Sequence, residues 1–323
     1  MWKTHKICSI VFLLFCFTTA SNSQEVVSAH DSIIQIGTFN LEWFPCKNDG
    51  DMMKKYGIEL RYPPHGQSTD IKALFNFLKS LDIELLAVEE IVDPKLFADS
   101  AQKYLGEQYE FIYSPFGGDQ KIGFLYDSSI LQVKGKPETY MKVALSNDSR
   151  LRPAFGAYFK VIPSGFDFTA IVVHLKASPR GWDIRKKQWS VLDDILTTLP
   201  AETGDGDIIL LGDFNDVSKL KTAEFDSVIQ QTNFYRVTQE LNTKISEYWR
   251  PDYKKDRIEG SIIDHIFVSP DAGIEFIKGS TRVGGMCALG ETEYPGDSIP
   301  DYYYKISDHC PVYCSFKVDV DND

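Results

Sequence analysis

The chain's strongest constraint on its own fold is a set of apolar runs that stop abruptly in Asp, Glu, Asn or His. Ile208-Ile209-Leu210-Leu211-Gly212 passes directly into Asp213-Phe214-Asn215-Asp216. The same pattern occurs in Ile36 to Glu42, which carries Asn40 and Glu42, and in Leu85 to Glu90. It returns in Ile171-Val172-Val173-His174, in Ile262-Ile263-Asp264-His265, and in Ser307-Asp308-His309 before Pro311-Val312-Tyr313. One carboxylate at a strand end is ordinary surface. Six endings of this kind imply a single polar site at the edge of a sheet core, where a rigid scaffold meets open loops.

Between these runs the periodicity changes. Ile71, Leu74, Phe75 and Leu78 follow helical spacing behind Ser68, a candidate cap, and Asp93-Pro94 opens a second helix through about Tyr104. From Tyr109 onward aromatic and β-branched strands dominate, with a hairpin turn expected at Ser164-Gly165. A helix is expected from about Trp182 to Leu199, then a strand at 207–212, a helix near 218–230, and strands at 262–268, 273–278 and 311–317. Hairpins mixed with crossover helices predict an α/β protein with antiparallel pairing rather than a doubly wound parallel sheet. No Walker sequence, Gly-x-Gly-x-x-Gly or Gly-x-Ser-x-Gly is present, which argues against nucleotide-fold and serine-hydrolase chemistry.

With 43% apolar residues in 323, the chain can bury a large core, and it contains no linker-like tract. The polar endings run from residue 40 to residue 309, so residues 24–323 read as one domain. Residues 1–23 read as a signal peptide: Lys3 and Lys6, an apolar stretch from Ile7 to Phe17, then small residues near Ala20 and Ser23. That stretch is shorter than the roughly 20 residues needed to cross a bilayer, so cleavage and secretion or periplasmic release are expected, with no stable membrane anchor. Cys46, Cys287, Cys310 and Cys314 would remain in an oxidising compartment, with pairing open except that Cys310 and Cys314 share a strand face and are not expected to bond each other.

The net charge of -12 disfavours nonspecific polyanion binding, though a cleft that is locally basic or loaded with a divalent cation remains compatible with a nuclease. Asn40, Glu42, Glu90, Asp213, Asn215 and Asp308 form a hard-oxygen set suited to Mg²⁺ or Mn²⁺, with Ca²⁺ also compatible. His174 and His309 add groups that move protons near neutral pH. Together they supply what phosphate-ester hydrolysis needs.

In this order, Phe39-Asn40-Leu41-Glu42-Trp43-Phe44, Val173-His174-Leu175-Lys176, Leu211-Gly212-Asp213-Phe214-Asn215-Asp216 and Ser307-Asp308-His309 resemble the endonuclease/exonuclease/phosphatase superfamily, which includes deoxyribonuclease I-like enzymes. The resemblance covers roughly residues 33–317. It implies a four-layer α/β sandwich, two packed mixed β-sheets flanked by helices. It implies Glu90 as the main metal carboxylate, Asn40 beside it, Glu42 as a further acidic neighbour, and Asp308 completing the cluster. Asp213 and Asn215 would position the phosphate and the water or leaving group. Asp264 would orient His309 as general base, His174 would serve as the second imidazole, and Arg152, before Pro153, would clamp phosphate.

Two positions depart from the family pattern. Glu89-Glu90 stands where Gln-Glu is usual, which leaves Glu89 as the alternative to Glu90 for the ligand, and Gln120 stands where deoxyribonuclease I-like members place a Glu partner for the second histidine. His265 alternates away from Asp264 and is expected to be structural. The expected activity is that of an exported, monomeric, metal-dependent phosphodiesterase, a nuclease acting on DNA or RNA. The alternatives are a phospholipid or sphingomyelin phosphodiesterase or a phosphomonoesterase on the same fold, and a non-catalytic binding module, which would have lost site residues.

Overall fold

A computed structural model describes residues 32–145, 151–216, 233–251 and 256–319. The expected signal peptide, the expected helix near 218–230 and Asn147-Asp148-Ser149, whose sequence fits a glycosylation acceptor, lie outside the described residues.

The described residues form fifteen strands: β1 (Ile33–Phe44), β2 (Leu85–Ile91), β3 (Tyr109–Tyr113), β4 (Lys121–Asp127), β5 (Leu131–Tyr140), β6 (Ala154–Val161), β7 (Asp167–His174) and β8 (Ile208–Asp213). The rest are β9 (Tyr235–Arg236), β10 (Glu247–Trp249), β11 (Arg257–Ser261), β12 (Asp264–Val268), β13 (Arg282–Val283), β14 (Glu293–Pro295) and β15 (Val312–Lys317). They form two six-stranded mixed sheets, β13-β15-β1-β2-β4-β3 and β5-β6-β7-β8-β12-β9, and a three-stranded sheet β10-β11-β14.

The layers follow from strand alternation, since successive side chains point to opposite faces. In β1, Ile34 and Ile36 enter the core between the two large sheets, whereas Phe39 and Leu41 face outward beneath α2 (Ile71–Leu81) and α3 (Pro94–Tyr104). In β7 and β8, Ala170, Val172, Ile209 and Leu211 face inward, and Ile171, Val173, Ile208 and Leu210 pack under α4 (Trp182–Thr203). Helices outside two facing sheets give the expected four-layer sandwich.

The inward rows also explain the site. Ile34-Ile36-Thr38-Asn40, Leu85-Ala87-Glu89, Ala170-Val172-His174 and Ile209-Leu211-Asp213 are each one face of a strand that turns polar at its end. Parallel pairing brings Asn40 opposite Glu89 and His174 opposite Asp213, and antiparallel pairing brings Asp264 opposite Asp213.

Some local expectations change. The α2 cap is Asp70, whose side chain accepts from the Ala73 amide, not Ser68. Residues 273–278 hold no strand, because Ala272–Glu275 forms a single helical turn. Cys287 and Cys310 form a disulfide, while Cys46 and Cys314 are free and buried. No helix among the described residues is long and apolar enough to cross a membrane.

Candidate active site

Backbone irregularities at the strand ends aim the functional side chains. Opposite β2, two extra residues bulge β1 between Asn40 and Phe44, and β2 shifts register against β4 between Val88 and Ile91. Glu42, Trp43, Glu90 and Asn215 all adopt positive φ, at 44°, 58°, 62° and 53°. Non-glycine residues in this region cost energy and concentrate at functional sites. Gly212 permits the close approach of β8 to β7: with φ at 139°, a Cβ there would lie 2.0 Å from the Val173 carbonyl oxygen.

His309 is the centre of the proton-handling half. Its Nδ1 lies 2.9 Å from Asp264 Oδ2, and Ser246 Oγ donates to that same oxygen at 2.7 Å. Asp264 is completely buried, so the pair is rigid and the imidazole presents Nε2 to the cleft. Burial alone would lower the His309 pKa, but contact and hydrogen bonding with Asp264, helped by Asp308 and Asp213, carry it well above its ordinary value.

His174 is the opposite case. Its Nε2 sits 3.4 Å from Asp213 Oδ2 and 3.6 Å from Glu90 Oε1. Burial, then the charges of Arg152 and His309, press its pKa well below the usual value. Its Nδ1 is buried with no hydrogen-bond partner among the described residues, so Gln120 does not bond it there.

Asn40, Asp213 and Asn215 form a continuous polar bridge. Asn40 Nδ2 donates to Asp213 Oδ2 at 3.0 Å, Asp213 Oδ1 accepts from the Asn215 amide at 2.8 Å, and Asn215 Nδ2 donates to the Leu175 carbonyl at 3.2 Å. Burial and then Asp264 drive the Asp213 pKa well above normal.

The structure brings both glutamates of β2 to the site. Glu90 Oε2 accepts from the Trp43 amide at 3.0 Å, and Arg152 lowers a pKa that burial raises. Arg152, half-buried, acts on Glu90 and Asp213 and so lies at the His174 end of the cleft. Glu89 is fully buried beside Asp264 and Asp213; one oxygen accepts from Thr38 Oγ1 at 2.8 Å and the other has no hydrogen-bond partner among the described residues.

Glu42 is already engaged. It pairs with Lys47, accepts from Asn48 Nδ2 at 2.6 Å and from the Asp308 amide at 2.9 Å. Burial and Asp308 push its pKa up to about 8, against the pull of Lys47. Lys47 itself is 1% exposed and lies over the Tyr303 ring. Glu42 therefore anchors the Asp308 backbone. Asp308 is freer: one of its carboxylate oxygens is buried and lacks a hydrogen-bond partner among the described residues.

These features fit a divalent metal. Ligand atoms of Asp213, Asp264 and His309 lie within 4.8 Å of one another. Unpartnered buried oxygens of Glu89 and Asp308 face the same region, and such hard donors suit Mg²⁺ or Mn²⁺.

Sequence reasoning missed Glu247, Ser246 and Lys47. Glu247 Oε2 lies 3.7 Å from His309 Nε2, and burial, against the pull of His309, raises its pKa to about 7. Its three-residue strand gives no alternation to read. His265 is structural as expected, buried with Nδ1 2.9 Å from Thr238 Oγ1.

The profile of the Endonuclease/Exonuclease/phosphatase family matches residues 37–309. No curated protein matches. Among solved structures, a zebrafish (D. rerio) TDP2 complexed with single-strand DNA product superposes with a TM-score of 0.60 at 17% identity, covering 89% of this chain and 100% of that one. A Bacteroides thetaiotaomicron endonuclease/exonuclease/phosphatase family protein gives 0.57 at 16%, covering 90% and 99%. A mannosyl-6-phosphatase from the same organism gives 0.55 at 16%, covering 87% and 98%.

Proposed function

The chain belongs to the endonuclease/exonuclease/phosphatase family, and on that premise we propose that it is an exported, divalent-metal-dependent phosphoesterase whose substrates are nucleic-acid phosphodiesters. The observation that carries this reading is the Asp264–His309 pair. With Nδ1 held by a buried carboxylate, the imidazole has one tautomer and one free nitrogen, which faces a cleft of carboxylates, amides and a second imidazole.

His309 Nε2 takes a proton from the attacking water, and Asp264 stabilises the resulting imidazolium. Arg152 and the buried His174 bind phosphoryl oxygens at the far end of the cleft, and the Asn40–Asp213–Asn215 bridge fixes the intervening polar surface. Glu90 and Asp308, with Asn40 beside them, would hold the cation. Bound there, a divalent cation supplies charge that offsets the phosphoryl oxygens and lets the His309 proton leave nearer neutral pH. A nucleic-acid substrate is supported by the TDP2 relative, whose structure contains a DNA product. A second reading, hydrolysis of small phosphorylated sugars, is supported by the mannosyl-6-phosphatase likeness and by the Glu247 carboxylate beside His309.

The test is cleavage of plasmid DNA and of RNA by the purified chain with Mg²⁺ or Mn²⁺, against EDTA and His309→Ala. Metal-dependent cleavage lost in both controls supports the proposal. Intact nucleic acid at high enzyme concentration, with turnover of sugar phosphates, would replace it with the second reading.

A further inference from the structure

Among the described residues, Glu247 is a carboxylate within 4 Å of His309 Nε2 to which the reaction above gives no work. Its position is built rather than incidental. Strand β10 is stitched to the His309 segment by the Tyr248 amide bonding the Asp308 carbonyl at 2.8 Å and the Cys310 amide bonding the Ser246 carbonyl at 2.7 Å. Tyr248, Ile258 and Tyr294 turn inward to the core, which leaves the opposite face of the small sheet beside the cleft.

On that outer face the register pairs Glu247 with Ser261 and Trp249 with Glu259. Ser261 Oγ donates to Glu247 Oε1 at 2.5 Å, and Glu247 Oε2 has His309 Nε2 at 3.7 Å, beyond hydrogen-bond reach. Trp249, two residues along, is 39% exposed. The outer rim carries Glu259 and Glu293 around Arg257, so the face is not a basic track.

Resting on the phosphoesterase reading, we infer that this face binds the sugar that carries the scissile phosphate. Glu247 accepts hydrogen bonds from the sugar hydroxyls, and Trp249 packs against the ring. A carboxylate only accepts, so unprotonated phosphate oxygens are repelled and hydroxyl groups are drawn in. The charge layout gives the substrate one orientation: phosphate toward Arg152 and His174, sugar toward Glu247. An aromatic beside a buried acceptor offers a ring both an apolar surface and a polar anchor. The shared chemistry is a hydroxylated sugar next to a phosphoester, available from a ribonucleotide chain or from a free hexose phosphate.

The experiment compares kcat/KM on a ribodinucleotide with its 2′-deoxy counterpart, and on a hexose 6-phosphate with phenyl phosphate. The expected result is a preference of at least about tenfold for the hydroxylated member of one pair, since a buried acceptor left unpaired is penalised. Which pair shows it identifies the source. Glu247→Ala and Glu247→Gln should each shrink that ratio to within threefold, and Trp249→Ala should raise KM more than it lowers kcat. Equal rates within both pairs, or a preference that survives Glu247→Ala, overturns the inference. Titration calorimetry with ribo- and deoxyribonucleoside monophosphates and with a hexose 6-phosphate needs no turnover. Hydroxyl-dependent binding lost in Glu247→Ala, by a protein that hydrolyses nothing, would sink the hydrolase reading and keep this one. Binding indifferent to the hydroxyls, by a protein that does hydrolyse phosphoesters, would sink this inference and keep the hydrolase reading.

Discussion

Asn40 and Asp213, 173 positions apart in the chain, are joined by a 3.0 Å hydrogen bond that links one six-stranded sheet to the other at the floor of the cleft. Both side chains are almost wholly buried, so the amide supplies the close donor to a carboxylate oxygen that His174 Nε2 approaches only to 3.4 Å. Asn40→Ala should cost about 1–3 kcal/mol of stability. Asn40→Asp should cost more, because it sets two carboxylates against each other. Urea denaturation of the three proteins checks the order.

Asp264→Asn tests orientation separately from proton affinity. An amide there donates as readily as it accepts, so the imidazole tautomer is no longer fixed. The expected loss is on the order of 10²–10⁴ in kcat with little change in KM. A KM effect larger than the kcat effect would mean that Asp264 serves binding instead.

Lys47 gives Glu42 an internal cation. Above about pH 8, where Glu42 is ionised, Lys47→Met should leave a buried carboxylate without its cation and destabilise the protein by about 3–5 kcal/mol. Adding Glu42→Gln should restore much of that stability, because the neutral side chain can still accept from the Asp308 amide. Thermal melts of the single and double variants decide whether the two positions are coupled.

Glu84 supplies a pH test remote from the cleft. Burial raises its pKa to about 7, and its carboxylate accepts from the Gln35 amide at 2.6 Å. A folded-state pKa above the unfolded value means that the protonated form favours folding. That contribution is complete below about pH 4.5 and is lost as pH rises through about 7. Glu84→Gln should therefore raise the melting temperature at pH 8 and leave it nearly unchanged at pH 4. Equal effects at both pH values would exclude a titrating Glu84.

The Cys287–Cys310 disulfide closes a loop with a sequence separation of 23, directly after His309. Replacing both cysteines by serine should cost about 3 kcal/mol on the chain-entropy scale. Melts with and without reductant should show the native protein falling to the level of the variant.

Much of this was readable from the sequence, for a physical reason. Buried strands display their inward row every second residue, so Asn40, His174, Asp213 and Asp264 appear as polar ends of apolar rows. The rest lacked such a row. Glu247 lies on a strand of only three residues, and Lys47 reaches Glu42 through backbone turns at positive φ that composition does not announce. The helix cap moved from Ser68 to Asp70 because either residue can accept from a helix N-terminus. Residues 273–278 read as a strand from their apolar content, yet the adjoining Ala272–Glu275 segment completes a helical turn.

The pairing of β1 with β15 places the first and last long strands side by side, with Ile33 opposite Lys317. His309, the base of the proposed reaction, arrives with that last segment, and its carboxylate partner Asp264 with the strands before it. A chain still lacking its last segment thus holds Asn40, Glu90, His174, Asp213 and Asp264 without the His309 that pairs with Asp264. On the proposed mechanism the site is complete only once the last residues have joined the sheet, and a protease that removed β15 would strip β1 of its antiparallel neighbour without cutting the cleft itself.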